Sequence, residues 1–297
     1  MEGTALRLVQ DEPPVVERPE YYFEGGEFIP KRLADDIMVD YHFNYANSVL
    51  YVYENGVYIP DGKEIVEKAA QAMLQEKSKT SRINETVNYI KREVTCKLPA
   101  PDVSRINLRN GVLDWRSGMF YDHDPADYSI TQIPVFYDPS ATCPEFDAYL
   151  TSTFDTEVIP LIEEIMGYCL VPDTSFQKAF MLTGSGSNGK SIFLETMVAL
   201  LGQKNVSNVS LHEIERRWFK IPELVGKLAN IFADIDAQDL KTSGKFKVLV
   251  SGDRINTERK YGQPFEFIPY ARLIFSANQI PQSADRSDAF YRRWIII

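Results

Sequence analysis

The chain has 297 residues, 44% of them hydrophobic and 12% aromatic, which is enough for sizeable cores and typical of two domains. Its formal net charge of −10 argues against a surface coated with basic residues for duplex DNA, but not against nucleic acid held in a locally basic channel. It contains no apolar run of about 18 residues and no signal peptide, so the sequence predicts no membrane span.

Cysteine and histidine usage adds a second exclusion. The 3 cysteines and 3 histidines are scattered, and they form neither a disulfide framework nor a zinc-binding pair. A reducing cytoplasm is the expected compartment, which is the host cytoplasm if a phage encodes the protein.

The first half of the chain predicts a small domain behind a leader. Residues 1–24 are acidic and contain prolines, which is typical of a flexible segment. Residues 25–150 alternate hairpin and helix patterns, so we expect an α+β or helical domain there. The predicted elements are a hairpin at 49–59 around Asn55-Gly56, helices at 63–77 and 83–94, a hairpin at 108–114 and a helix at 144–154.

A complete Walker A motif follows in the second domain, residues 151–297. The motif G-x-x-x-x-G-K-[ST] lies between a strand at 178–183 and a helix at 192–201, the order that a phosphate-binding loop requires. Its glycines let backbone N–H groups face phosphate oxygens, while lysine and serine side chains contact the phosphates and Mg²⁺. The predicted ATP-binding residues are Gly184, Ser185, Gly186, Ser187, Asn188, Gly189, Lys190 and Ser191.

Two further strands end in polar residues that suit ATP hydrolysis. The strand at 228–235 ends in Asp234 and Asp236, and we predict that Asp234 ligates Mg²⁺ beside Ser191 while Asp236 polarises water, although these roles could be exchanged. The strand at 271–276 precedes Asn278, an amide that can sense the γ-phosphate. Alternating strands and helices after Walker A predict a parallel sheet with the nucleotide at its carboxyl edge.

The last motif is the pair Arg292-Arg293. Adjacent arginines cannot face the same way on a helix or strand, so one can make structural contacts while the other reaches a neighbouring subunit's γ-phosphate. We predict Arg293 as this arginine finger, with Arg292 as the alternative.

This set of motifs in this order resembles the superfamily 3 helicases, AAA+-related ring ATPases of small viruses, phages and plasmids. The closer resemblance is to the phage/plasmid primase-helicase family, which includes the poxvirus-type primase-helicase. The segments that carry it are 184–191, 233–236, 246–253, 270–281 and 290–293, with an upstream likeness at 106–114, 123–125 and 133–139.

The resemblance implies an AAA+-like P-loop domain, behind a helicase-associated domain, that forms a hexamer and moves along single-stranded DNA during replication. In the family, a β-hairpin before the sensor strand projects into the pore of the ring, and here it maps onto residues 247–267. The residues implied to contact DNA are Lys247, Arg254, Arg259, Lys260 and Tyr261.

Two departures from the family pattern accompany the resemblance. The chain begins with the acidic leader instead of a polymerase-type primase domain, so no primase activity is expected of it. It stops at 294–297, within an apparent strand, where the family continues, so we expect a C-terminally truncated chain.

Two other functions stay open. The first is an ATP-dependent DNA-binding or loading switch without unwinding activity. The second is a metabolic P-loop kinase, which leaves the 246–253 segment and the arginine pair unexplained.

Overall fold

The structure is a computed structural model that describes residues 19–95, 101–184, 189–235, 240–260, 262 and 264–297. The predictions made for Ser185–Asn188, Asp236, Tyr261 and most of the leader therefore lie outside the described residues. The chain divides into two compact units, the first formed by residues up to 53 with 58–98, and the second by 54–57 with 99–297.

The first unit packs helices against a small antiparallel sheet. It begins with a 3₁₀-helix at Pro19–Tyr22, and because Tyr22 is fully buried, the end of the predicted leader belongs to this unit. The hairpin predicted around Asn55-Gly56 forms between the strands Val49–Glu54 and Val57–Ile59, which are neighbours in one sheet, with both turn residues at positive φ as such a tight turn requires. The elements are β1 (Phe23–Glu24), β2 (Glu27–Phe28), α1 (Pro30–Asp40), β3 (Phe43–Ala46), β4 (Val49–Glu54), β5 (Val57–Ile59), α2 (Gly62–Leu74) and α3 (Thr80–Glu93).

The second unit starts well before residue 150, where the sequence suggested a boundary. Ile106 and Leu150 lie in the same buried cluster as Phe193 of the predicted ATP-binding region. Residues 101–150 therefore share the core of the second unit, and the division falls near residue 98. The elements of this part are β6 (Arg105–Leu108), β7 (Gly111–Asp114), β8 (Met119–Tyr121), α4 (Pro144–Thr153) and α5 (Ile159–Leu170).

A five-stranded parallel sheet forms the centre of the second unit, as the sequence predicted. Its strands lie in the order β10-β11-β14-β9-β15. The elements are β9 (Ala179–Thr183), α6 (Lys190–Leu201), β10 (Val206–Ser207), α7 (Leu211–Arg216), β11 (Ala229–Phe232), α8 (Gly244–Ser251), β12 (Ile255–Glu258), β13 (Pro264–Phe267), β14 (Arg272–Ala277), α9 (Asp288–Tyr291) and β15 (Trp294–Ile296).

Both faces of this sheet are covered, which explains the nearly continuous apolar runs of its strands. Alternate residues of β9 enter different cores: Phe180 and Leu182 pack on the side of α5 and α6, while Met181 packs on the side of α7 and α8. The central strand β14 is buried at every one of its 6 positions. The sequence elements thus form a mixed α/β fold with helices on both faces of a parallel sheet.

The antiparallel pair β12 and β13 is the hairpin that the family resemblance implied. It occupies only the second part of the expected segment, because residues 247–251 continue α8. Helix α8 ends at Gly252, whose φ of +71° is unfavourable for other residues.

We predict that Gly252→Ala lowers the free energy of unfolding by about 1–3 kcal/mol. The new Cβ would require a left-handed backbone conformation and would meet the Thr174 hydroxyl. Urea unfolding followed by circular dichroism measures the change. Gly167→Ala in α5 is the matched control, since a Cβ there meets nothing within 4 Å and should be neutral or stabilising. Equal effects of the two substitutions would contradict this account of the turn.

Candidate functional site

The predicted catalytic positions meet at the carboxyl edge of the parallel sheet. Strand β14 lies between β9 and β11, and the register pairs Thr183 with Ala277 on one side and Phe232 with Phe275 on the other. Gly184, Asp234 and Asn278 therefore follow neighbouring strands at the same level. Since adjacent strands are about 4.8 Å apart, the outer two chain ends lie about 10 Å from each other, with Asn278 between them.

The ends of the Walker A loop have the backbone that phosphate binding needs. Gly189 immediately precedes α6 and has a φ of +81°. The free N–H groups of the first turn of α6, together with the helix dipole, make this end an anion site. The Lys190 Nζ atom donates to the carbonyl oxygen of Gly184, 2.6 Å away, so the lysine reaches back across the loop.

Helix α4 supports this loop, which the sequence did not indicate. The hydroxyl of Tyr149 donates to the carbonyl oxygen of Gly189 at 3.0 Å. A Cβ at Gly189 would lie 2.5 Å from the Thr153 methyl carbon, so α4 also demands a glycine there. Burial raises the pKa of Tyr149, so the hydroxyl stays a donor. No motif marks Tyr149 and Thr153, because they lie some 40 residues from the loop that they contact.

Asp234 has an unusual backbone that a buried serine stabilises. Its φ is +51°, which is uncommon for aspartate and occurs often at functional sites. Its N–H donates to the Ser276 hydroxyl at 3.0 Å, and the N–H of Ile235 donates to the Ser276 carbonyl at 2.8 Å. Ser276 thus fixes the turn that carries Asp234, and it lies near the end of β14, two residues before Asn278.

The donor set of this edge suits Mg²⁺. Ser191 and the exposed Asp234 offer hard oxygen ligands beside the anion site. Within the described part of the chain, no group of three or more His, Cys, Asp or Glu side chains could hold a metal ion by itself. A Mg²⁺ ion would accordingly take much of its coordination from nucleotide phosphates and water, as Mg²⁺ commonly does.

The arginine pair lies at the opposite, amino edge of the sheet. Trp294, the first residue of β15, pairs with Ala179, the first residue of β9. The 5 residues of β9 span about 16 Å. Arg292 and the Walker A loop are therefore separated by at least the length of this strand.

The two arginines differ in their surroundings. Arg293 is only 8% exposed, and its guanidinium donates to the Ser251 hydroxyl at 2.7 Å and to the Ala289 carbonyl. Burial, followed by the neighbouring Arg292, lowers the pKa of Arg293 from its ordinary value. Arg292 is exposed. This arrangement does not fit the choice of Arg293 as the finger and favours the alternative, Arg292.

The hairpin also lies near the amino edge, because β13 leads into the start of β14. Of the predicted DNA contacts, Arg254 is exposed and lies 3.5 Å from Glu266, while Arg259 stacks over the Phe265 ring at 5.2 Å. Lys260 is exposed in the turn.

Lys247 requires a correction. It belongs to α8 rather than to the hairpin, and its Nζ atom lies 2.9 Å from a carboxylate oxygen of Asp285. Hydrogen bonds from Ser243 and Lys247 hold the pKa of Asp285 well below its usual range. Sequence reasoning missed this pairing because 38 residues separate the partners.

Comparisons with known proteins agree with this architecture. Residues 32–155 match the family described as D5 N terminal like, and residues 182–293 match a family of unknown function, DUF5906. The chain is 26% identical over 215 residues to the putative helicase L207/L206 of Acanthamoeba polyphaga mimivirus, which covers 65% of this chain and 21% of the viral protein.

Solved structures show the same fold. Two apo structures of the NrS-1 C-terminal region superpose with TM-scores of 0.56 and 0.58 at 14% identity, and both cover 90% of this chain and 61% of the other. The chain thus spans about a fifth of the viral relative and about three fifths of the NrS-1 region. The similarity to a helicase in sequence, with a P-loop helicase fold, indicates a helicase-related role.

None of the helices in the described ranges has the length and apolar character needed to cross a membrane.

We predict that Ser276→Ala reduces ATP turnover by roughly 5- to 30-fold while leaving ATP binding nearly unchanged. The N–H of Asp234 would lose its acceptor, at a cost of about 1–2 kcal/mol. Steady-state hydrolysis and equilibrium binding of a fluorescent ATP analogue separate the two effects.

Ser207→Ala provides the matched control, because the Ser207 hydroxyl is also buried in the sheet but donates to Asn230. Ser276→Thr should retain activity, since it keeps the hydroxyl oxygen. Equal losses in the Ser207 and Ser276 alanine variants would show that only sheet stability is involved.

Proposed function

Since this chain belongs to the phage-type primase-helicases, we propose that its second unit is an ATP-driven motor that moves along single-stranded DNA in phage or plasmid replication. The observation that carries the proposal is the meeting of the Walker A loop, Asp234 and Asn278 at one edge of the sheet. A phosphate loop alone binds nucleotide, whereas hydrolysis also needs an acid and a polar group beside the γ-phosphate.

Each residue then has a defined task. The loop N–H groups and Lys190 bind the phosphates, which requires the Lys190 ammonium to leave the Gly184 carbonyl for a phosphate oxygen. Ser191 and Asp234 hold Mg²⁺, which neutralises charge that develops on the phosphates. Asn278 orients the attacking water or senses the γ-phosphate. Asp236 remains the candidate for polarising that water, and it can exchange roles with Asp234.

The finger must come from another subunit. Arg292 lies at the amino edge, about 16 Å of strand length or more from its own Walker A loop, which no arginine side chain can cover. A neighbour that places its amino edge against this carboxyl edge would bring Arg292 to the γ-phosphate. Such a contact joins different surfaces of two identical chains, and it closes into a ring when the rotation permits.

Ring assembly would give this chain the AAA+ arrangement that its resemblance implies, with a hexamer as the expected form. The β12–β13 hairpin would then face a central channel with Arg254, Arg259, Lys260 and Tyr261 available for DNA. Cations and an aromatic ring suit a single strand, whose phosphates and bases are both accessible. A local basic hairpin also reconciles DNA binding with the net charge of −10.

We predict that ATP hydrolysis rises faster than linearly with protein concentration and increases with single-stranded DNA, because the active site needs a neighbour. Lys190→Ala should abolish both the hydrolysis and its stimulation by DNA, because it removes the phosphate contact. The measurement is steady-state phosphate release over a protein titration, with and without an oligonucleotide.

A forked-duplex assay completes the experiment. Strand separation that requires ATP supports the motor. DNA-stimulated hydrolysis without strand separation would favour a loading switch, and phosphoryl transfer to a small molecule without any DNA response would contradict the proposal.

A further inference from the structure

An exposed run of two arginines and two aromatic residues lies beside the hairpin, outside every predicted motif. All four residues are exposed: Arg216, Arg217, Trp218 and Phe219. Trp218 is 42% exposed and Phe219 is 49% exposed. Arg216 ends α7, Arg217 is the connection, and Trp218 and Phe219 begin the 3₁₀-helix Trp218–Leu224. Large aromatic residues side by side in solvent, next to consecutive cations, are uncommon in a purely structural turn.

Contacts tie this run to the hairpin. The Thr257 hydroxyl of β12 donates to the Trp218 carbonyl at 3.3 Å. Trp218 also lines an open groove of about 480 Å³ together with Lys245, Arg254 and Asn256. The groove therefore extends from the aromatic run to the base of the hairpin.

One cation of the groove lies over the indole ring. The Lys245 Nζ atom lies 5.1 Å from the centroid of the Trp218 ring while it donates to the Glu215 carbonyl. Arg254 of the hairpin lines the same groove. A groove that contains an indole, an ammonium group and a guanidinium group offers a stacking surface for a base and charges for the flanking phosphates.

The nearby carboxylates are largely engaged. Glu215 accepts from the Phe246 N–H at 2.7 Å and from the Thr242 hydroxyl at 3.0 Å, which caps the start of α8. Glu213 lies 3.4 Å from Arg217, and Glu266 lies 3.5 Å from Arg254. The charged groups that line the groove are two cations, Lys245 and Arg254, and one carboxylate, Glu215, so the balance favours an anion.

We propose that this groove, with Trp218 as its floor, is a binding site for one nucleotide of single-stranded DNA, adjacent to the hairpin. The proposal rests on the DNA-binding part of the proposed function. It adds a base-stacking contact at the base of the hairpin to the cationic contacts at its tip, so that the strand follows a path of at least two contacts on one subunit.

Tryptophan fluorescence tests the site directly. The chain has 3 tryptophans, and a dT oligonucleotide that stacks on Trp218 should quench part of the emission. Trp218→Phe should remove most of this quenching, and Trp218→Ala should weaken oligonucleotide affinity about 5- to 100-fold. Lys245→Gln, which removes a cation that lines the groove, should lower the slope of log affinity against log salt by about one.

Trp115→Phe and Trp115→Ala are the matched controls. Trp115 is 49% exposed and has the Arg116 guanidinium 5.3 Å from its ring, so it resembles Trp218 in exposure and in its neighbouring cation, but it does not line the groove. These variants should bind the oligonucleotide as the unchanged protein does.

The outcomes distinguish this site from the proposed function. Binding of dT by the unchanged protein with equal affinity in Trp218→Ala would overturn the site and leave the motor standing. No binding by the unchanged protein, with or without an ATP analogue, would overturn DNA binding itself. Trp218→Ala could instead lose its oligomers while each subunit binds the oligonucleotide with unchanged affinity. That result would make residues 216–219 a contact between subunits and would overturn the proposal.

Discussion

All five strands of the central sheet run in one direction, and this common direction separates two sets of chemical groups. The carboxyl ends collect the Walker A loop, Asp234 and Asn278, while the amino ends collect Arg292 and the β12–β13 hairpin. In a parallel sheet, the amino ends of the strands lie on one side and the carboxyl ends on the other, so groups at opposite ends cannot meet within one chain. If Arg292 serves the ATP site as proposed, that site lies between two chains, and assembly is a condition for the proposed hydrolysis.

Helix α8 is the element that both parts of the amino edge share. It continues through Gly252 into the hairpin, and it contacts residues 285–294 through Lys247 with Asp285 in its middle and through Ser251 with Arg293 at its end. Phe246 of the same helix stacks on Trp294 with ring centroids 4.6 Å apart. These contacts hold the buried Arg293 next to the exposed Arg292, and they join the hairpin proposed to meet DNA to the arginine proposed to meet nucleotide.

Local patterns in the sequence predicted much of this fold. Asn55-Gly56 specified a tight hairpin, and the strand before Gly184 and the helix that begins at Lys190 followed from periodicity. The burial of Arg293 and the pairing of Lys247 could not be predicted, because each depends on a partner far along the chain. The compact units divide near residue 98 because residues 101–150 share the core of the second unit, whereas the matched D5 N terminal like family spans residues 32–155, close to the predicted boundary at 150.

Mixing two inactive variants tests the contact between subunits most directly. Lys190→Ala keeps the finger but loses its own phosphate contact, and Arg292→Ala keeps the nucleotide site but loses the finger. Each variant should hydrolyse ATP poorly alone, whereas random mixing should restore a functional pair at roughly a quarter of the interfaces. Recovery of activity, with Arg292→Ala still binding ATP normally, is the predicted result. A mixture as inactive as its components, with oligomers confirmed by sedimentation, would contradict a finger supplied by Arg292 of a neighbour.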